Sequence, residues 1–205
     1  MPLFKTIHVQ SATKIYIWKI SESVSNLKKG LRLNISARQK FKKLKSKEHK
    51  KQFLATQQLL QFIGLNSYYL YYNEEGKPFL SNGQHIAISH SGDYAVLAIA
   101  NQNIGVDIEK KQVKLKRIAS KFVGIEKQFI TAKDELLFLT KIWTAKEALY
   151  KLKNIKGLSF KQSIALLPFK ANTSQADALL KYNKQEEKYK IHYYSLEKYI
   201  LALAI

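Results

Sequence analysis

Gly105-Val106-Asp107-Ile108-Glu109 is the stretch from which the rest of the chain is read, together with Trp143-Thr144-Ala145-Lys146-Glu147-Ala148-Leu149-Tyr150-Lys151. In the first, Ile104, Val106 and Ile108 alternate with other residues and β-branched side chains dominate, so a short strand is expected. Positions i and i+2 of a strand face one way. Asp107 and Glu109 then project together, and Ile108 turns into the core behind them. The second stretch reads as helix, where Glu147 and Lys151 at i, i+4 share a face. Two carboxylates on a strand, plus a carboxylate and an ammonium on a helix turn, could form a Mg²⁺ site with a cation beside it. Mg²⁺ takes a few carboxylates, keeps waters and completes its shell with substrate phosphates.

Working outward, the 205 residues suffice for one large domain or two small halves. Hydrophobic residues make up 46% and aromatics 12%, which excludes global disorder. The net charge of +20, from 35 Lys+Arg against 15 Asp+Glu, favours acidic partners: nucleic acid, a membrane surface, a polyphosphate ligand or an acidic protein. A generally basic, soluble surface explains it equally well. Cysteine is absent, which excludes disulfides, a thiolate nucleophile and zinc–cysteine sites. The start, Met1-Pro2-Leu3-Phe4-Lys5, lacks the apolar run of a signal peptide. No uncharged apolar stretch approaches the ~20 residues of a membrane span. A soluble, cytoplasmic location is the expectation.

In chain order, Lys14 to Ile20 reads as an early strand. Ser36 to about Ile63 reads as a long helical region, strongly basic at first, with a turn near Ser46 that splits it in two. Gly64 suits its end. Tyr68 to Tyr72 is strand-like, and Asn73 to Pro78 is a turn cluster. Ile86 to Ser89 and Tyr94 to Ala100 read as strands joined by a loop at His90 to Asp93. After the strand at 104–109, helical segments run to about Lys153, interrupted near Gly124 and Thr131 and stopped by Gly157. Ser163 to Leu167, Tyr189 to Tyr194 and Tyr199 to Ala204 alternate as strands. Ala171 to Glu187 is polar, a loop or an irregular hairpin. Each half therefore runs strand, helices, strands, which predicts an α+β chain divided at about residue 102, residues 1–102 and 103–205, tightly packed as one functional unit.

Each pair has an ordinary reading when taken alone. Carboxylates at the solvent end of a strand are common, and a Glu–Lys pair at i, i+4 is routine helix stabilisation. Lys146 could be a solvated lysine, and Trp143 fits a core position. Ser89-His90-Ser91-Gly92 invites a triad, but adjacent residues on an extended segment point apart and no G-x-S-x-G elbow is present. Ser89 and His90 would serve better as hydrogen-bond donors to phosphate oxygens, or as a plain turn. Lys77, in Gly76-Lys77-Pro78, could reach a phosphate as a point charge. Neither a Walker loop nor G-x-G-x-x-G occurs.

The conjunction of these motifs resembles the 4′-phosphopantetheinyl transferases of the larger, surfactin-synthetase-activating type. Gly76-Lys77-Pro78, Ile88-Ser89-His90-Ser91, Gly105 to Glu109, Trp143 to Ala148, Lys151 and Gly157-Leu158 carry the resemblance, in order, over about residues 76 to 158. It implies a monomer of two pseudo-symmetric α+β halves, each a small, mostly antiparallel sheet packed on helices, with coenzyme A in the cleft between them. It implies Mg²⁺-dependent transfer of the phosphopantetheine arm of coenzyme A to a serine of an acidic acyl or peptidyl carrier protein, releasing adenosine 3′,5′-bisphosphate. The roles it implies are Asp107, Glu109 and Glu147 as metal ligands, with Asp107, Glu147 and Lys151 as the catalytic set. Glu147, or a metal-held water, would take the serine proton, and Lys151 would act on the leaving phosphate. Lys51, Lys77, Ser89 and His90 would join Lys151 on coenzyme A, with Arg38 a further candidate. Ala87 stands where the family often has Asn. Two other readings remain at this point: a basic nucleic-acid-binding protein using Lys40 to Lys51 and the Tyr68 to Tyr72 aromatics, and a coenzyme A binder without transfer activity.

Overall fold

The computed structural model describes residues 3–9 and 12–205. Met1 and Pro2, at the start weighed as a signal sequence, lie outside them. The chain divides into two compact units, Met1–Asn103 and Ile104–Ile205. Both are α+β with antiparallel sheets.

The first unit holds β1 (Leu3–His8), β2 (Lys14–Lys19), α1 (Val24–Lys28), α2 (Ile35–Lys43), α3 (Lys47–Phe62), β3 (Leu70–Tyr72), β4 (Pro78–Leu80), β5 (His85–Ser91) and β6 (Tyr94–Ala100). Its four-stranded sheet runs β1-β2-β6-β5, and β3 and β4 form a separate hairpin. The helical region does split at Ser46, whose hydroxyl accepts from the backbone N–H groups of Glu48 and His49 and so caps α3. The far end of α3 closes on Gly64 at φ +79°, with Leu65 N–H donating to Leu60 O and Gly64 N–H to Gln61 O. Between these caps Leu54, Ala55, Leu59 and Leu60 are fully buried, in one cluster with Tyr16, Trp18, Ile86, Ala95 and Leu97 of the sheet. β5 extends further than the sequence suggests. Pairing continues to Ser91↔Tyr94 because Gly92, at φ 50°, helps complete the reversal in two residues. His90 is therefore a strand residue rather than a loop residue.

The second unit holds β7 (Gly105–Lys110), α4 (Lys114–Ile118), two 3-10 turns (Ala119–Lys121 and Ile125–Gln128), α5 (Glu135–Lys153), α6 (Phe160–Ser163), β8 (Ile164–Leu166), β9 (Gln175–Tyr182), β10 (Gln185–Leu196) and β11 (Tyr199–Ala204). Its sheet order is β7-β11-β10-β9-β8. The polar stretch 171–187 is in large part a regular hairpin. Asn183 and Lys184, at φ 50° and 62°, make the two-residue turn whose positive dihedrals match strand twist. Only Ala176, Ala178 and Leu180 of β9 turn inward, two of them small, so the alternation is faint in the sequence. α5 ends at Asn154, in the left-handed region at φ 54°, and Gly157 sits three residues beyond in the following turn.

One lysine of α5 is wholly interior. Lys146 is fully buried, and its ammonium donates to the carbonyls of Phe122, Phe160 and Ile164 at 2.6–2.9 Å. It also pairs with Glu126 Oε1 at 2.7 Å. Glu126 is equally buried, and its carboxylate accepts from Gly124 N–H and Leu166 N–H. Lys146 is therefore not the solvated lysine weighed above. Burial pulls its pKa down, and the Glu126 charge beside it opposes that shift. Replacing Lys146 by Met should leave Glu126 charged and uncompensated in the interior. The expected outcome is a loss of ~3–5 kcal/mol of unfolding free energy in urea titration. Adding Glu126→Leu should recover part of it.

Candidate active site

β7 and α5 assemble the carboxylates. In the β7–β11 register, Gly105, Asp107 and Glu109 oppose Ala204, Ala202 and Ile200, so these six share one face of the sheet. That face meets α5, whose Ala145, Ala148, Leu149 and Leu152 lie in one buried cluster with Ile200, Ala202 and Ala204. Gly105 permits a close approach. A Cβ there would stand 1.8 Å from the Ala148 carbonyl oxygen and 2.7 Å from Leu152 N. Glycine at the start of this strand thus brings Asp107, two residues on, against the functional turn of α5.

The Lys151 ammonium sits 2.6 Å from Asp107 Oδ1. Asp107 is 5% exposed, while Glu109 and Glu147 are half-buried. The Glu147 carboxyl is pushed up to about 7. Burial is the largest cause, and the Asp107 charge adds to it. Lys151 opposes the rise, and Glu109 contributes a little more in the same sense. The expected strand and helix residues are thus gathered into one electrostatic site. No three His, Cys, Asp or Glu side chains among the described residues converge at metal-ligand spacing. The donor set nonetheless suits a hard divalent cation. Burial, with the Asp107 charge adding to it, holds a proton on Glu147 near neutrality, and an oxygen-seeking ion would favour the ionised form.

The remaining expected residues lie in the first unit. Lys51 is half-buried on α3, next to Gln52, whose amide donates to Gly92 O at 3.1 Å and ties the helix to the β5–β6 turn. Lys77 lies at the β3–β4 turn, where its N–H donates to Asn73 Oδ1 at 2.7 Å. Ser89 and His90 are neighbours on β5 with opposite environments, the serine 5% exposed and the histidine exposed. Their side chains point to opposite faces of the strand. Trp143 packs on Phe122 and Phe160, as a core position requires.

Sequence reasoning missed two contributors to this geometry. The role of Gly105 was signalled by a glycine inside a β-branched run. The Lys146–Glu126 pair left one faint trace, a lysine placed four residues after Ile142 and three before Leu149, on the apolar face of a mixed helix.

An antiparallel α+β unit that sets clustered carboxylates and an ammonium at a strand–helix junction is suited to gripping a polyphosphate through a divalent cation. Comparison with known proteins makes the class specific. Residues 103–204 match the family described as the 4′-phosphopantetheinyl transferase superfamily. Two curated relatives align as well. The 4′-phosphopantetheinyl transferase gsp of Aneurinibacillus migulanus is 31% identical over 121 residues, 56% of this chain and 48% of that protein. The 4′-phosphopantetheinyl transferase Sfp of Bacillus subtilis (strain 168) is 36% identical over 92 residues, 42% of this chain and 41% of that protein. The chain spans about half the length of the curated relatives it matches. It belongs to the 4′-phosphopantetheinyl transferase superfamily, as the motif resemblance implied.

Two outcomes test the geometry. Gly105→Ala must force β7 and α5 apart against backbone atoms, which should cost ~1–3 kcal/mol in thermal or urea unfolding. Glu147 supplies a pH signature. Its folded pKa is raised, so between pH 4.5 and about 7 the native state holds a proton that the unfolded state has released. This group's contribution therefore falls as pH rises through that window. Glu147→Gln should match wild-type stability at pH 4 and exceed it at pH 8, by about 2 kcal/mol after allowance for partial exposure. Calorimetry across the range reads the widening gap.

Proposed function

We propose that this protein transfers the 4′-phosphopantetheine arm of coenzyme A to a serine of an apo acyl or peptidyl carrier protein and releases adenosine 3′,5′-bisphosphate. The observation that carries the reading is the Asp107–Lys151 contact beside a Glu147 carboxyl held near 7, within the segment that matches the superfamily. A pseudo-symmetric pair of halves around a cofactor cleft, divided as the sequence suggests, belongs to the same proposal, as do a monomeric state and a cytoplasmic location. No helix among the described residues is long and apolar enough to cross a membrane.

In the proposed step the serine oxygen attacks the pantetheine-side phosphorus of the coenzyme A pyrophosphate. A phosphorus–oxygen bond to serine forms, and the bond from that phosphorus to the bridging oxygen breaks. The electron pair leaves with adenosine 3′,5′-bisphosphate. Glu147 takes the serine proton, a task matched to a carboxylate that titrates near operating pH. Lys151, oriented by Asp107, stabilises charge growing on the leaving phosphate. Asp107, Glu109 and Glu147 would hold Mg²⁺, which supplies charge neutralisation on the pyrophosphate oxygens. Lys51, Lys77, Ser89 and His90 are assigned to the adenosine-side phosphates of coenzyme A.

The basic nucleic-acid binder accounts for the charge but gives three clustered carboxylates no purpose. The binder without activity gives the Asp107–Lys151 contact beside Glu147 none. Incubating apo carrier proteins with coenzyme A and Mg²⁺, then reading their mass, tests the proposal. Wild type should add the arm, Asp107→Ala should not, and Lys151→Ala should be slower by ~3–4 kcal/mol, a few hundredfold. DNA retention at low salt should be unchanged by Lys151→Ala, since one of 35 basic residues is lost. Wild-type protein inactive on every carrier protein, with DNA binding lost in the variant, would overturn the reading.

A further inference from the structure

A second basic site lies in the first unit, outside the residues assigned to coenzyme A in the resemblance except Arg38. A recess of about 830 Å³ is lined by Lys28, Arg32, Arg38 and Lys42, with the rings of Phe41 and Tyr68. Its size falls within the range of small-molecule pockets. No acidic residue lines it, and none of its four cations forms an ion pair with a described carboxylate. Such a concentration of like charge raises the local potential and recruits an anion. Two heads are partly fixed. Arg38 Nε donates to Leu33 O at 2.8 Å, and Lys28 Nζ stands 5.8 Å from the Phe41 ring centroid. Fixing donors before the ligand arrives reduces the ordering cost of binding. Arg38 and Lys42, at i and i+4, stand on one face of α2. Tyr68 is 65% exposed and offers a flat ring on the rim.

We infer that this recess binds a nucleoside di- or triphosphate as a second ligand, its phosphates on Lys28, Arg32, Arg38 and Lys42 and its base against Tyr68. Guanidinium groups match phosphate oxygens in pairs, and an exposed tyrosine provides the stacking face that inorganic phosphate cannot use. A recess of these dimensions with an aromatic rim favours a single nucleotide over a polymer, which would need a continuous basic track. Neither Asp107 nor Glu147 lines the recess, and its occupancy does not depend on transfer activity.

The test is calorimetric titration of the full chain with ADP, with inorganic diphosphate, and with a short single-stranded oligonucleotide. Tyr68→Ala and Arg32→Ala are the variants, because both side chains line the recess and Tyr68 is mostly solvated. ADP should bind more tightly than diphosphate. Arg32→Ala should weaken ADP about tenfold or more, as loss of a charge-assisted phosphate contact does. Tyr68→Ala should weaken ADP at least about fivefold and leave diphosphate unchanged. Circular dichroism of both variants should match wild type. Repeating the titration in saturating coenzyme A should leave the Arg32-dependent and Tyr68-dependent ADP binding intact. Equal affinity for ADP and diphosphate, insensitivity to both variants, or displacement by coenzyme A would each overturn the inference. So would oligonucleotide affinity that far exceeds that of ADP and depends on the same two residues.

Discussion

The burial of Lys146 against Glu126 is the constraint on which the second unit depends. A buried ammonium is tolerated only when every donor is matched and its charge is balanced. Here three carbonyls and a carboxylate do so, and they belong to segments far apart in sequence. The same carboxylate takes up Gly124 N–H and Leu166 N–H. One ion pair thus fixes the 3-10 turns, α6 and the start of β8 against the middle of α5. Hydrophobic packing could supply as much stability without the charge, but it would not dictate which backbone groups converge.

With α5 held on that side, its adjacent residue is free to act on the other. Successive helix positions are turned by ~100°, so Glu147 points away from the interior pair and toward β7. Gly105 determines how near β7 comes. The two constraints are complementary: a buried charge sets the rotation of the helix, and a missing side chain sets its distance from the strand. Asp107 and Lys151 then meet at 2.6 Å without any long-range adjustment.

The sequence made periodic and locally punctuated features legible. The β7 strand, the Ser46 break and the end of α3 at Gly64 each follow from side-chain alternation or a capping residue, interactions that span only a few positions. The β9–β10 hairpin was obscured because its inward face carries two alanines, and its turn uses Asn183-Lys184 rather than a glycine pair. The extension of β5 through His90 was obscured by the turn-like look of Ser-Gly-Asp. In the site, i, i+2 and i, i+4 spacing pointed to the paired carboxylates and to the Glu–Lys face. It could not give the approach of strand to helix, which depends on a backbone contact 43 positions away, between Gly105 and Ala148. Nor could it show that Lys146 is interior, since only its tertiary neighbours bury it.

The two lysines of α5 sit in different electrostatic surroundings. Around Lys146 the charges balance, with one ammonium, one carboxylate and backbone dipoles completing the set. Around Lys151 three carboxylates gather, and Asp107 and Glu109 raise Glu147 while Lys151 opposes them. Burial first, and the Asp107 charge second, give a Glu147 carboxyl that keeps its proton to about pH 7. A carboxyl whose folded pKa is raised in this way lowers stability as pH rises through that range, and a ligand that binds the folded site with Glu147 ionised offsets the cost.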